Sequence, residues 1–221
     1  MKIGDSVKVK KGVLEPDTEK FEIGGWQGRI VEIDTTSTTE GTLVNIEWDA
    51  LTLQQLPADY IIQSEIEGLG WEMMVLFESD VEKAESRDEV ADVRKMQDEL
   101  SVKYYWCSLG EEGLRIGAVL EAADRNDDMQ CFDVWHKHID SALSFPIQAI
   151  VSESEDNGLL KEGAKVAITS LSTIAERYGI IANVKWNDTN YEFPLCDLEV
   201  IDNKSTDFQL INDYGIWFAN R

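Results

Sequence analysis

Polar and apolar residues alternate with period two along residues 42–48 (Thr-Leu-Val-Asn-Ile-Glu-Trp), which predicts a strand with one face in a core. Val7-Lys8-Val9 alternates in the same way after the turn pair Gly4-Asp5, and residues 28–33 are a β-branched run opened by Gly28. The polar, Gly-ended stretch 35–41 between the two longer runs reads as a hairpin loop. Pro57-Ala58-Asp59 then introduces a further short apolar run, Tyr60-Ile61-Ile62. Past residue 65 the period changes. Val90, Val93, Met96, Leu100 and Tyr104 recur at helical spacing, and Ser86 with Glu89 predicts a capping box ahead of them. A second helix is predicted over about residues 111–123, with Leu114, Val119 and Leu120 among its apolar positions. A third, over about 128–143, carries the stripe Met129, Phe132, Trp135 or His136, Ile139 and Leu143. Ser144-Phe145-Pro146 ends it, because the residue before proline is pushed out of helical geometry.

After a strand-like run at 147–151, the early pattern returns. Ile3-Gly4-Asp5-Ser6-Val7-Lys8-Val9 parallels Glu162-Gly163-Ala164-Lys165-Val166-Ala167-Ile168, and Gln27-Gly28-Arg29-Ile30 parallels Tyr178-Gly179-Ile180-Ile181. Val44-Asn45-Ile46-Glu47-Trp48 parallels Ala182-Asn183-Val184-Lys185-Trp186. Leu56-Pro57 followed by Asp59 parallels Phe193-Pro194 followed by Asp197. This is an internal repeat, and several short strands at close spacing suit a small barrel of SH3-like type. The expected fold class is α+β, with two small SH3-like β-barrels flanking a helical middle segment. The expected division is residues 1–65, 66–145 and 146–221.

Composition narrows the function. The 221 residues carry 20 Lys and Arg against 43 Asp and Glu, a formal net charge of -23. The charge is not a tail: it is net negative over 1–65, 66–125 and 126–221 alike. Such a chain lacks the basic footprint that displaces counterions from nucleic acid, and it is repelled by anionic membrane surfaces. No apolar run reaches the ~20 residues of a membrane span, and no leader-like apolar run follows the start. Cys107, Cys131 and Cys196 are too few and too far apart for a disulfide framework, so the expected compartment is the cytoplasm.

Carboxylates are the abundant chemistry. Asp124-Arg125-Asn126-Asp127-Asp128 offers four side-chain oxygen donors in five residues, the donor type that hard Ca2+ takes. Asp124, Asn126 and Asp128 match the first, third and fifth positions of an EF-hand loop. Met129 stands where that loop needs glycine and Trp135 where it needs glutamate, so this is not an EF-hand. Asp127 or Asp128 also suits the N-cap of the third helix. Residues 153–158 form a second acidic, Gly-ended loop. Asp197, Glu199 and Asp202 form a third cluster, and alternation puts Asp197 and Glu199 on one face of an extended strand. His136 and His138 face different sides of a helix and make poor joint ligands. There is no P-loop, dinucleotide fingerprint or nucleophile elbow, so an enzyme is not expected.

Four segments occur together in the C-terminal half. They are Trp106-Cys107-Ser108-Leu109-Gly110-Glu111-Glu112-Gly113, Leu143-Ser144-Phe145-Pro146, Phe193-Pro194-Leu195-Cys196-Asp197-Leu198-Glu199-Val200 and the run 213–221 ending Trp217-Phe218-Ala219-Asn220-Arg221. In this order they resemble the CcbP-type calcium-binding proteins of cyanobacteria, over about residues 104–221. The resemblance implies a small acidic protein of helices and an SH3-like barrel. It implies Ca2+ bound without an EF-hand, a buffering or sensing role in calcium signalling, and residues 66–221 acting as one calcium-binding unit. The oxygen clusters inside the matched region make Asp124, Asn126, Asp127, Asp128, Asp197 and Glu199 the expected metal ligands. The N-terminal barrel lies outside the resemblance, and the alternative reading of the chain is a protein-interaction module that grips a protein partner with its barrels.

Overall fold

Three strands open the chain: β1 (Ser6–Val9), β2 (Gln27–Asp34) and β3 (Leu43–Trp48). The computed structural model describes residues 1–36, 41–154 and 158–221. Part of the expected hairpin loop (37–40) and of the second acidic loop (155–157) therefore lies outside the described residues. After β3 come helices α1 (Ala50–Gln55) and α2 (Ala58–Glu67), strands β4 (Met73–Phe77) and β5 (Val81–Lys83), and helix α3 (Val90–Tyr104). The chain forms two compact units, Met1–Gly110 and Glu111–Arg221. The first sheet thus runs past residue 65, and the helices of the middle segment are shared between the units. The first unit's sheet is antiparallel, in the order β4-β3-β2-β1-β5. Its buried face carries Val9, Ile30, Val44, Ile46 and Trp48, all at inward positions of the alternation.

Two local expectations fail for physical reasons. The run Tyr60-Ile61-Ile62 is helical, in α2, not a strand. Pro57 sits at its N-cap and Gly68 closes it in the left-handed conformation, so the breakers bound a helix. The capping box lies three residues later than expected, with Glu89 as N-cap and Asp92 reaching back. Residues 86–88 are held elsewhere. Arg87 makes paired bonds to Asp49 (2.8 and 2.7 Å), itself the N-cap of α1, and Asp88 binds Arg29 and accepts from the Ala50 amide at 2.6 Å.

The second unit contains α4 (Gly110–Val119), α5 (Asp128–Ala142), strands β6 (Ile147–Val151), β7 (Lys165–Ala175), β8 (Gly179–Trp186), β9 (Thr189–Pro194) and β10 (Leu198–Val200), and α6 (Thr206–Asn220). The sequence reading did not anticipate α6. Its Tyr214 and Trp217 pack with Phe132 and Trp135 of α5 at centroid separations of 5.2–5.9 Å. The sheet order is β10-β6-β7-β8-β9.

The two sheets share one topology and one register. Val9 pairs with Val81 as Val151 pairs with Leu198. Val7 pairs with Gly28 as Ala149 pairs with Val166. Ile30 pairs with Ile46 as Ile168 pairs with Val184, and a bulge follows at the same place in each. Ile46 pairs with Met74 as Val184 pairs with Tyr191. A single-turn 3-10 helix, Glu78–Asp80 or Leu195–Asp197, precedes the last strand of each sheet. The internal repeat is therefore real, but its alignment is corrected. Val7 corresponds to Ala149, not Val166, and Pro57 has no counterpart because α1 and α2 are inserted between β3 and β4. The Trp48–Trp186 correspondence stands. Among the described residues no pairing closes either sheet into a barrel, so the architecture is α+β with two open five-stranded sheets.

Candidate metal centre

The loop joining α4 to α5 is built around the start of α5. Asp127 is the N-cap, accepting from the Gln130 amide at 3.1 Å. This satisfies one of the amides left open at a helix start. Gln130 answers by accepting from the Asp124 amide at 2.8 Å. The Asp124 carboxylate accepts from the Asn126 amide at 3.0 Å. Asp128, in the first turn of α5, lies 4.0 Å from the Arg221 guanidinium, which stacks over the Phe218 ring. Asp124 and Asp127 thus hold amides of the loop and of the first turn of α5, while Asp128 faces Arg221 outside the loop. Burial, reinforced by the charges of Asp128, Asp127 and Asp124, pushes the Cys131 thiol upward, so that cysteine is a poor thiolate ligand.

The third cluster is arranged differently from the sequence reading. Asp197 is the last residue of the 3-10 turn and β10 begins at Leu198, so Asp197 and Glu199 do not share a strand face. The Asp197 carbonyl accepts from the Ser152 amide at 2.8 Å. That bond brings Glu153, which the sequence placed in an ordinary polar loop, beside Asp197. Burial first, and Glu153's charge besides, push the Asp197 carboxyl above 3.8, against the bond it accepts from the Cys196 thiol. The Cys196 thiol is pushed up to about 12 by burial and by Asp197. Glu199 points outward into a groove that also takes Glu153, Cys196, Asn212 and Asn220. Asp197 lines a neighbouring cavity of about 550 Å³ walled by Tyr178, Tyr191 and Phe193.

Among the described residues no three His, Cys, Asp or Glu side chains converge as a ready-made ion cage. His138 sits edge-on to Trp135 at 6.3 Å. Glu153 stood out in the sequence only as part of an acidic loop, and its place beside Asp197 was not foreseen. The signal that would have found it is the pairing of β6 with β10, which no local pattern encodes.

A model of the CcbP family, described as calcium binding, matches residues 118–218. Among solved structures, Anabaena CcbP shares 22% identity over 44% of this chain and 80% of its own, with a TM-score of 0.37. A calcium-binding protein in its calcium-binding form shares 19% identity over 49% of this chain and 90% of its own, with a TM-score of 0.40. A comparison with curated proteins gave no match. The family is one of calcium-binding proteins rather than enzymes, and no helix among the described residues is long and apolar enough to cross a membrane. The stretch that the calcium-binding family model matches, 118–218, lies wholly inside the second unit and spans both oxygen clusters.

Proposed function

We propose that the second unit binds Ca2+ through oxygen ligands drawn from Asp124, Asn126, Asp127, Asp128, Asp197 and Glu199, with Glu153 added to the set. The observation that carries this reading is the family match over residues 118–218. The donor chemistry fits the ion: carboxylates and a carboxamide, with no soft ligand required. The resting geometry is that of separate capping and turn contacts, so ion binding draws these oxygens away from their present partners. The same reading makes the protein a cytoplasmic buffer or sensor without catalytic activity, its sheets SH3-like, its wider acidic surface raising the local cation concentration.

Asp197 offers the sharpest test. A carboxyl held above its ordinary value is one whose charged form the fold disfavours. Stability without metal therefore falls as pH rises through the window just above 3.8, and the cost persists at neutral pH. Asp197→Asn should raise the metal-free melting temperature, because it removes the charge that burial disfavours. It should also shrink the shift produced by 1 mM Ca2+. In the wild type, Ca2+ should raise the melting temperature more than equal Mg2+. Equal shifts with both ions would reduce the effect to charge screening and remove the specific site. Asp128→Asn tests the loop in the same way, and unchanged titration calorimetry would exclude that loop from the site.

A further inference from the structure

The two sheets share one register, so their edge strands can be compared position by position, and they differ in kind. The edge β9 carries Asn190, Glu192 and Pro194 where the edge β4 carries Met73, Val75 and Phe77. Polar residues and proline are the usual guards of an open edge. The β4 edge has none of them, and Met73 and Val75 are 42% and 48% exposed. Its backbone is equally open. Trp48 donates to Glu72 and Glu78 donates to Thr42, so in the antiparallel alternation Met74 and Leu76 turn their N–H and C=O groups toward β3. Met73, Val75 and Phe77 turn theirs outward, away from β3.

Charge selects the occupant. Neither β3 nor β4 carries a Lys or Arg, and Glu47 faces Met73 across the pair. Glu72 and Glu78 flank the strand, Glu78 also accepting from the Met1 ammonium at 2.5 Å. A second copy would bring a net charge of -23 against this edge and, paired antiparallel, set these glutamates against each other. We infer that β4 is a docking edge for an extended segment of a partner protein, one that alternates apolar residues with Lys or Arg and adds to the sheet as a sixth strand. Main-chain bonds to Met73, Val75 and Phe77 supply the hold, and the acidic flank supplies the selectivity.

The probe is an acetylated peptide of alternating valine and lysine, titrated into the full chain and followed by amide exchange in NMR. The amides of Met73, Val75 and Phe77 should become protected. A peptide with glutamate in place of lysine should bind at least tenfold more weakly. Val75→Pro removes only an outward N–H, so the fold should survive while binding falls at least tenfold. Equal binding of both peptides, protection elsewhere, or full binding by Val75→Pro would overturn the inference. Concentration-dependent dimerisation of the free chain that Val75→Pro abolishes would overturn it too, since the edge would then serve a second copy.

Discussion

Gly179→Ala is expected to destabilise the second unit by about 2–5 kcal/mol, summing a left-handed backbone penalty of about 1–2 kcal/mol and an overpacking cost of about 1–3 kcal/mol. Gly179 opens β8 with φ of +69°, where an L side chain is strained. An added Cβ would overlap the Tyr214 hydroxyl and stand 2.6 Å from Phe218 Cε2. Neither can give way freely. The Tyr214 hydroxyl accepts from the Ile180 amide at 2.8 Å, and Tyr214 is fully buried against Trp217. Gly163→Ala is the built-in control, with φ of +81° and open space around it, and should cost only the backbone term of about 1–2 kcal/mol. Urea midpoints of the two variants separate the terms. Equal costs would mean that the packing of α6 over β8 is looser than described.

Arg115→Ala is the second large effect, at about 2–3 kcal/mol. Asp213, on α6, is 3% exposed, and its two oxygens take Arg115 of α4 at 2.6 and 2.9 Å. Removing one partner of a buried pair leaves a charge without compensation, which typically costs about 3–5 kcal/mol. Arg115 is one-third open to water, which places the expected cost below that range. Urea unfolding checks this: Arg115→Ala should lower the midpoint, and adding Asp213→Asn should recover part of the loss, because the uncompensated buried charge is then removed. No recovery in the double variant would mean that the pair contributes packing rather than charge compensation.

Much of the fold was legible because it is written in local pattern. The alternation at 42–48 became β3, the stripe at 128–143 became α5 with Asp127 as its cap, and the Trp48–Trp186 match announced the duplication. What escaped depends on distant partners. The Ser86 cap failed because Arg87 and Asp88 are taken by Asp49 and Arg29, residues some forty to sixty positions away. Tyr60-Ile61-Ile62 has no period of its own, and only the breakers on either side make it helical. The alignment of the repeat slipped because β1 and β7 both follow a Gly-led turn, so the wrong pair of strands looked alike. At the candidate metal centre, the sequence showed the acidic clusters, including the loop that holds Glu153, but not that the β6–β10 ladder brings Glu153 beside Asp197.

The two copies of the sheet also differ in what they carry. Asp80 and Glu82 of the first sheet stand where Asp197 and Glu199 stand in the second, yet the first unit lies outside the CcbP match and carries the apolar edge instead. The most direct measurement of the central claim is isothermal titration of the chelator-treated full chain with CaCl2, repeated with MgCl2. The account predicts a saturable Ca2+ isotherm with defined stoichiometry, weakened by Asp197→Asn and not reproduced by Mg2+. A featureless Ca2+ titration, or one that Mg2+ matches, would contradict it.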